Sequence, residues 1–256
     1  MSNTSTFSRT THLLALLGAL LAANSATAND NALDLKLSLG GAWQSSNEVQ
    51  IPNDDEGTRF SLEDIAGAGP LPAIRLEGIW NFRERHALRV LLAPLSYSET
   101  GDITEPILFA GGTFNTNQTV TGEYRFNSWR LGYRYHLRAR ERWDFWIGGT
   151  LKIRDAEIKL TQNGVSSSDD NLGFVPLLYL AGEYHFDSPW SIAGDLDGLA
   201  GGPGRAIDLG VSLNYQTTNR FRLGVEYRTL EGGADTDDVY NFAWFNSLLV
   251  TALYRM

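Results

Sequence analysis

From Thr121 to Leu160 apolar and polar positions alternate on both sides of the short charged run Arg138-Ala139-Arg140-Glu141-Arg142. On the way in, Leu131, Tyr133, Tyr135 and Leu137 share one face, and Arg130, Arg134 and His136 the other. On the way out, Trp143, Phe145, Ile147, Gly149, Leu151 and Ile153 oppose Asp144, Trp146, Thr150, Lys152 and Arg154. A period of two marks strands, and a short polar turn between two such runs marks an antiparallel hairpin. The polar face carries Arg or Lys at nearly every step, too regularly for the wet side of a soluble sheet. The pattern predicts an inside-out hairpin, with apolar side chains against lipid and charges facing an enclosed lumen.

The same two faces recur along the chain and predict ten strands. The first is near 33–44, where Leu33, Leu35, Leu37 and Leu39 alternate with Asp34, Lys36 and Ser38. The others fall near 71–82, 86–98, 121–137, 143–160, 172–186, 190–197, 205–215, 221–230 and 239–256. Long connections (47–69, 101–117, 163–170, 198–204 and 231–238) alternate with short turns, as in barrels whose long loops are extracellular and whose turns are periplasmic. Ser61-Leu62-Glu63-Asp64 in the first loop predicts one capped helical turn. The alternation changes phase near Asn127-Ser128 and near Asp155, which predicts a β-bulge at each place. Pro94 and Pro176 fall inside expected strands, so each must sit at a bulge or above the membrane band, or the strand does not run through it.

Aromatic residues give a separate line of argument. Trp80, Phe82, Tyr135, Trp143, Phe145, Tyr184, Phe186, Trp190, Tyr215, Phe221 and Tyr254 bracket the short turns, as one interfacial girdle requires. A second ring is expected from Trp43, Tyr124, Phe126, Phe174, Tyr227, Tyr240 and Phe242.

The N-terminus sets the compartment. A polar start with Arg9, an apolar run from Leu13 to Ala23 and the small-residue site Ala26-Thr27-Ala28 predict a cleaved signal peptide over 1–28 and a barrel domain over 29–256. The apolar run is too short for a spanning helix. The absence of cysteine excludes disulfides and thiolate metal sites. The formal net charge of -9 argues against a nucleic-acid partner.

Across the mature chain these features resemble the small outer-membrane β-barrel proteins of Gram-negative bacteria. Three phrases look like an uncharacterised group among them: Phe126-Asn127-Ser128-Trp129-Arg130-Leu131-Gly132-Tyr133-Arg134-Tyr135, Lys152-Ile153-Arg154-Asp155-Ala156-Glu157-Ile158, and Leu230-Glu231-Gly232-Gly233-Ala234-Asp235 with Tyr240-Asn241-Phe242. The resemblance implies an outer-membrane location and the fold, and no activity. Such proteins usually finish on an aromatic residue, whereas this chain finishes Tyr254-Arg255-Met256.

The expectation is therefore an all-β, up-and-down antiparallel transmembrane barrel of ten strands, monomeric and without cofactor. It meets lipid and lipopolysaccharide and is inserted by the barrel assembly machinery. The candidate site is a lumen network of Arg75, Glu77, Arg130, Arg134, Lys152, Arg154, Glu157, Glu183, Asp195, Asp197, Asp208, Glu226 and Arg228, with Arg89, Glu123, Arg125 and Arg222 on the same expected face. Both signs are present, so long side chains meeting across a narrow lumen read as a paired plug. The sharper reading is a narrow pathway or pocket for a small polar solute. A surface enzyme acting on lipid or peptide is the alternative, with Asp195 and Asp197 as its carboxylates. It lacks a histidine at the outer rim, because His86, His136 and His185 fall beside periplasmic turns. A third reading is a soluble periplasmic ligand binder. The acidic run Glu231, Asp235, Asp237 and Asp238 reads as a solvated loop before it reads as a cation site.

Overall fold

The computed structural model describes residues 32–256, apart from Pro203 and the side chains of 138–140. The expected signal peptide lies outside the described residues. In chain order the elements are β1 (Ala32–Gln50), β2 (Phe60–Ser61), α1 (Leu62–Ala66), β3 (Leu71–Arg83), β4 (His86–Ala93), β5 (Ser96–Gly101), β6 (Ile107–Phe109) and β7 (Gly112–Phe114). There follow β8 (Val120–Arg140), β9 (Trp143–Gln162), β10 (Val165–His185), β11 (Trp190–Gly201), β12 (Gly204–Gln216), β13 (Phe221–Asp235) and β14 (Tyr240–Arg255). Neighbouring staves are antiparallel, and β14 returns to pair with β1 from Asp34↔Arg255 to Gln50↔Tyr240, which closes the barrel. Counting β4 and β5 as one interrupted stave, the barrel has ten. Every expected strand is present.

The faces fall as the pattern requires. Leu131 is 53% exposed and Ile147 46%, whereas Arg130 and Lys152 are 3% exposed. On β9 the outward apolar side chains run from Trp143 to Ile153 before Asp155 ends them. At about 3.3 Å per residue and a tilt of about 40°, that stretch spans about 25 Å, the height of an outer-membrane belt. The periplasmic girdle is present: Trp143 stacks on Phe145 at 5.5 Å and meets Tyr184 at a tilt at 4.8 Å, and Trp190 lies 5.0 Å from Tyr215.

The two expected bulges are absent. The β8–β9 register runs unbroken from Thr121↔Thr161 to Leu137↔Phe145. What changes near Asn127 and Asp155 is chemistry and not phase. Above that level the exterior has left the membrane and is charged, and the interior has filled with apolar side chains. Tyr124 and Phe126 therefore point inward and do not join the outer ring; Tyr124 is 2% exposed. The register shifts that do exist lie elsewhere, between Gln44 and Ser46 in β1, between Asn81 and Arg83 in β3 and between Leu137 and Arg140 in β8.

Other departures also concern the extracellular end. The expected loop 163–170 is mostly strand, because β9 and β10 pair up to Gln162↔Val165 and turn through Asn163 and Gly164, at φ of 47° and 84°. Much of the expected loop 231–238 belongs to β13. The helical turn is present, with the Ser61 hydroxyl accepting from the Asp64 N–H at 3.4 Å. The second loop folds into the β6–β7 hairpin.

Both prolines sit where the wall is unzipped. Pro94 separates β4 from β5; β3 pairs with β4 only up to Leu76↔Leu92, and β5 pairs with β8 alone. Residues 71–75 of β3 therefore have a β-partner on the β1 side only. Pro176 lies beyond Leu178↔Gly198, the last pair between β10 and β11. A residue without an N–H is tolerated at such an edge and not inside a closed ladder.

Candidate functional site

The lumen is built in three layers. Strand alternation directs Arg75, Glu77, Arg89, Arg130, Asp195, Asp197, Asp208, Glu226 and Arg228 inward at mid-height, and together with Lys36 they form one connected ionic network. Asp208 is its hub, accepting from Arg228 at 2.5 Å, from Arg75 at 3.3 Å and from Arg130. Asp197, fully buried, accepts from Arg130 at 2.7 Å, Arg89 at 2.8 Å and the Thr150 hydroxyl at 2.7 Å. Arg89 also reaches Glu77, and its guanidinium lies 4.6 Å from the Tyr179 ring centre. Arg228 joins Glu226 at 2.8 Å and Asp195 at 2.7 Å, and Glu226 pairs with Lys36. Five cations thus meet five carboxylates. Buried charges persist only when paired and hydrogen-bonded in this way. Lys152 stands beside the network, its Nζ 4.6 Å from the Phe126 ring centre.

Above the network an apolar cap fills the outer mouth. Leu62 and Ile65 of α1, Phe109 and Phe114 of the β6–β7 hairpin, and Val120, Tyr124, Ile158, Leu160 and Phe245 of the wall form one buried cluster. Phe60 and Phe109 meet edge to face at 5.7 Å. Buried polar side chains hold the cap down. The backbone N–H of Gln44 donates to Ala68 at 2.7 Å, and the Gln44 side-chain amide donates to Gly67 at 3.1 Å. Asn47 donates to Gln44 at 2.9 Å, and the Tyr97 hydroxyl also donates to Gln44. Burial pushes the pKa of the Tyr97 phenol up.

Below the network lies a cavity of about 150 Å³, lined by Arg134, Trp146, Tyr179, Glu183, Asp195 and Arg222 among others. Arg222 bonds Glu183 at 2.7 Å, and Arg255 bonds Asp34 at 2.7 Å. Arg134 lies over Trp146, 5.1 Å from its ring centre. His136 and His185 share Asp144, at 2.7 and 2.9 Å.

The structure thus brings Arg75, Glu77, Arg130, Asp195, Asp197, Asp208, Glu226 and Arg228 into one network and leaves other expected members outside it. Arg134 and Glu183 belong to the lower cavity. Arg154 points inward near the outer rim, where it donates to Asn171 at 2.6 Å. Glu157 is on the exterior, paired with Arg125 at 2.9 Å, and Glu123 is paired there with Lys159 at 2.6 Å. The sequence pattern puts these exterior residues inward only if the phase slips, and it does not. Lys36 and Asp34 are interior partners that the network reading missed, although both lie on the polar face of the first strand. Asp195 and Asp197 have their oxygens engaged by guanidinium and hydroxyl donors, and among the described residues the histidines lie at the periplasmic end. Glu231 is bound by Arg205 at 2.5 Å, and Asp235 accepts from Asn53 at 2.8 Å.

A closed antiparallel barrel with an apolar belt, an aromatic girdle and an ionic interior is a transmembrane barrel of the outer-membrane kind, and the outer membrane is where this chain belongs. No protein-family model and no curated protein sequence matches it. Among solved structures it is similar to the outer membrane protease OmpT from Escherichia coli, at a TM-score of 0.56 and 9% identity, over 91% of this chain and 99% of that one. What those two share is the fold. It is also similar to Ail, the attachment invasion locus protein of Yersinia pestis, at a TM-score of 0.42 and 12% identity, over 89% of this chain and 100% of that one. At that distance nothing further follows.

Proposed function

We propose that the protein is a closed structural barrel, a monomer that spans the outer membrane without conducting solutes across it. The observation that supports this reading most directly is the double blockage of the lumen. A paired network with buried Asp197, Asp208 and Arg130 crosses the middle, and the apolar cap with buried Phe109 and Phe114 fills the outer mouth. A ten-stranded barrel is only slightly wider than one whose side chains fill it. The exterior belt contacts lipid and lipopolysaccharide, and insertion falls to the barrel assembly machinery.

A hydrolytic role at the outer surface is the weaker reading. The similarity to a protease concerns the fold, and the described residues place no histidine beside an outer-rim carboxylate. A narrow pathway for a small polar solute would have to pass from the cavity of about 150 Å³ through the network and the cap. Reconstitution into planar bilayers tests the proposal. Purified barrel is expected to give no stepwise, ohmic openings in molar potassium chloride. Reproducible single-channel steps from heat-modifiable, folded protein would overturn it.

A further inference from the structure

The unzipped wall beside Pro94 opens onto a chamber between the ionic network and the cap. Its free space is about 50 Å³, and it is lined both by outward Ile74 and by inward Arg75, so it passes through the plane of the sheet. Pro94 and Leu95 form one lip of this seam and Ala73 and Ile74 the other. The seam stays open because residues 71–75 of β3 have no ladder partner on this side, while the Leu95 carbonyl is held toward β8 by the Phe126 N–H at 2.7 Å. Leu92, where the β3–β4 ladder ends, pairs with Trp129, which pairs with Ile153 at the top of the apolar belt. The seam therefore meets the membrane where hydrocarbon gives way to headgroups.

Phe126, Leu230 and Phe245 line the chamber on the side of the cap, and Arg75 lines it on the side of the network. One cation here is under-used. Arg75 has five N–H donors and a single ion pair, 3.3 Å from an Asp208 that it shares with Arg130 and Arg228. A carboxylate in the chamber gives Arg75 a partner of its own.

We infer that this chamber binds the carboxylate head of a single-chain fatty acid, whose hydrocarbon leaves through the seam past Ile74 and Pro94 into the outer leaflet. Size selects the head. A water-sized group needs about 10–15 Å³ of such space, so the chamber holds about three to five heavy atoms, a carboxylate with its first carbons. A phosphodiester headgroup is larger. Arg75 supplies a fork for the carboxylate, and the apolar lining on the cap side covers the first methylenes.

The test uses the folded barrel in phospholipid nanodiscs, with decanoate labelled with ¹³C at its carboxyl and followed by NMR. The wild-type barrel is expected to show one saturable bound carboxylate per barrel, not displaced by decanol. Arg75→Gln should weaken binding about tenfold or more, the loss of one charge-assisted bond. Ile74→Trp, which fills the seam, should weaken it as well. The site is overturned if decanol displaces the acid at equal concentration, or if Arg75→Gln binds as the wild type does. The route is overturned if binding survives Ile74→Trp unchanged. Should Arg75→Gln fail the heat-modifiability test of folding, Arg75→Lys, which keeps the charge and loses the fork, is read in its place, and binding equal to the wild type overturns the site. Conductance is a separate measurement, so failure here leaves the closed-lumen reading standing, and the converse holds.

Discussion

Asp208→Asn is the sharpest single perturbation of the interior. The Asp208 side chain is 2% exposed and takes the charge of three guanidinium groups, those of Arg75, Arg130 and Arg228. The amide keeps one acceptor oxygen, loses the negative charge and turns two N–H groups toward donors. Removing one partner of a buried ion pair costs about 3–5 kcal/mol, because the remaining charge is stranded away from water. The variant should lose that amount, read from urea titration of the barrel in lipid vesicles by the fluorescence of its 7 tryptophans. Adding Arg75→Gln removes one stranded cation whose sole ion-pair partner was Asp208. The double variant should therefore cost less than the sum of the single ones by about 1–3 kcal/mol. A loss below about 1 kcal/mol for Asp208→Asn would refute the reasoning, since exposed pairs contribute no more than that. It would mean that the network is bathed in water and that the lumen is not closed at this level.

Further outcomes follow from other layers. Ile147→Arg places a charge on the lipid face and should destabilise the inserted barrel by about 2–4 kcal/mol if it lies near the midplane, measured by the same titration. Phe109→Ala hollows out the cap and should cost about 3–5 kcal/mol if the cap unfolds with the barrel. If the cap unfolds first, protease should cut the 102–119 segment while the staves stay intact on a gel. Asp169, on the part of β10 above the belt, has its pKa raised by burial and by Asp170 beside it. A carboxylate whose folded pKa is raised carries no penalty below its unfolded value of about 3.9, and carries the full penalty once pH exceeds the folded value. Asp169→Asn should therefore stabilise the barrel at pH 7 and change nothing near pH 3; equal effects at both would show that charge is not the cause.

The staves were legible in the sequence because one rule governs both faces inside the bilayer. Leu131 and Ile147 must meet lipid and Arg130 and Lys152 must not, so period two identifies both the strands and their orientation. Above the membrane that rule lapses. Water meets the exterior, the cap meets the interior, and apolar Tyr124 and Ile158 point inward while Glu123 and Glu157 point outward. A reader who assumes one polarity throughout must invent a phase change to keep it, and the two bulges and the misplaced Glu157 are the result. Of the cap, only the helical turn was legible, from its Ser61 capping signal; the β6–β7 hairpin and the packing of both over the lumen lie in loops where no period of two or 3.6 runs long enough to register. The prolines were a better guide. Read as ladder breaks, Pro94 and Pro176 mark the two places where neighbouring staves part.

The seal across the outer mouth has a consequence for the cell that makes the protein. An open pore raises the leakiness of the envelope with every copy inserted, so its abundance is limited by the toxins and detergents it admits. A stoppered barrel carries no such limit. On the closed-barrel proposal, its copy number can rise while the permeability barrier stays intact.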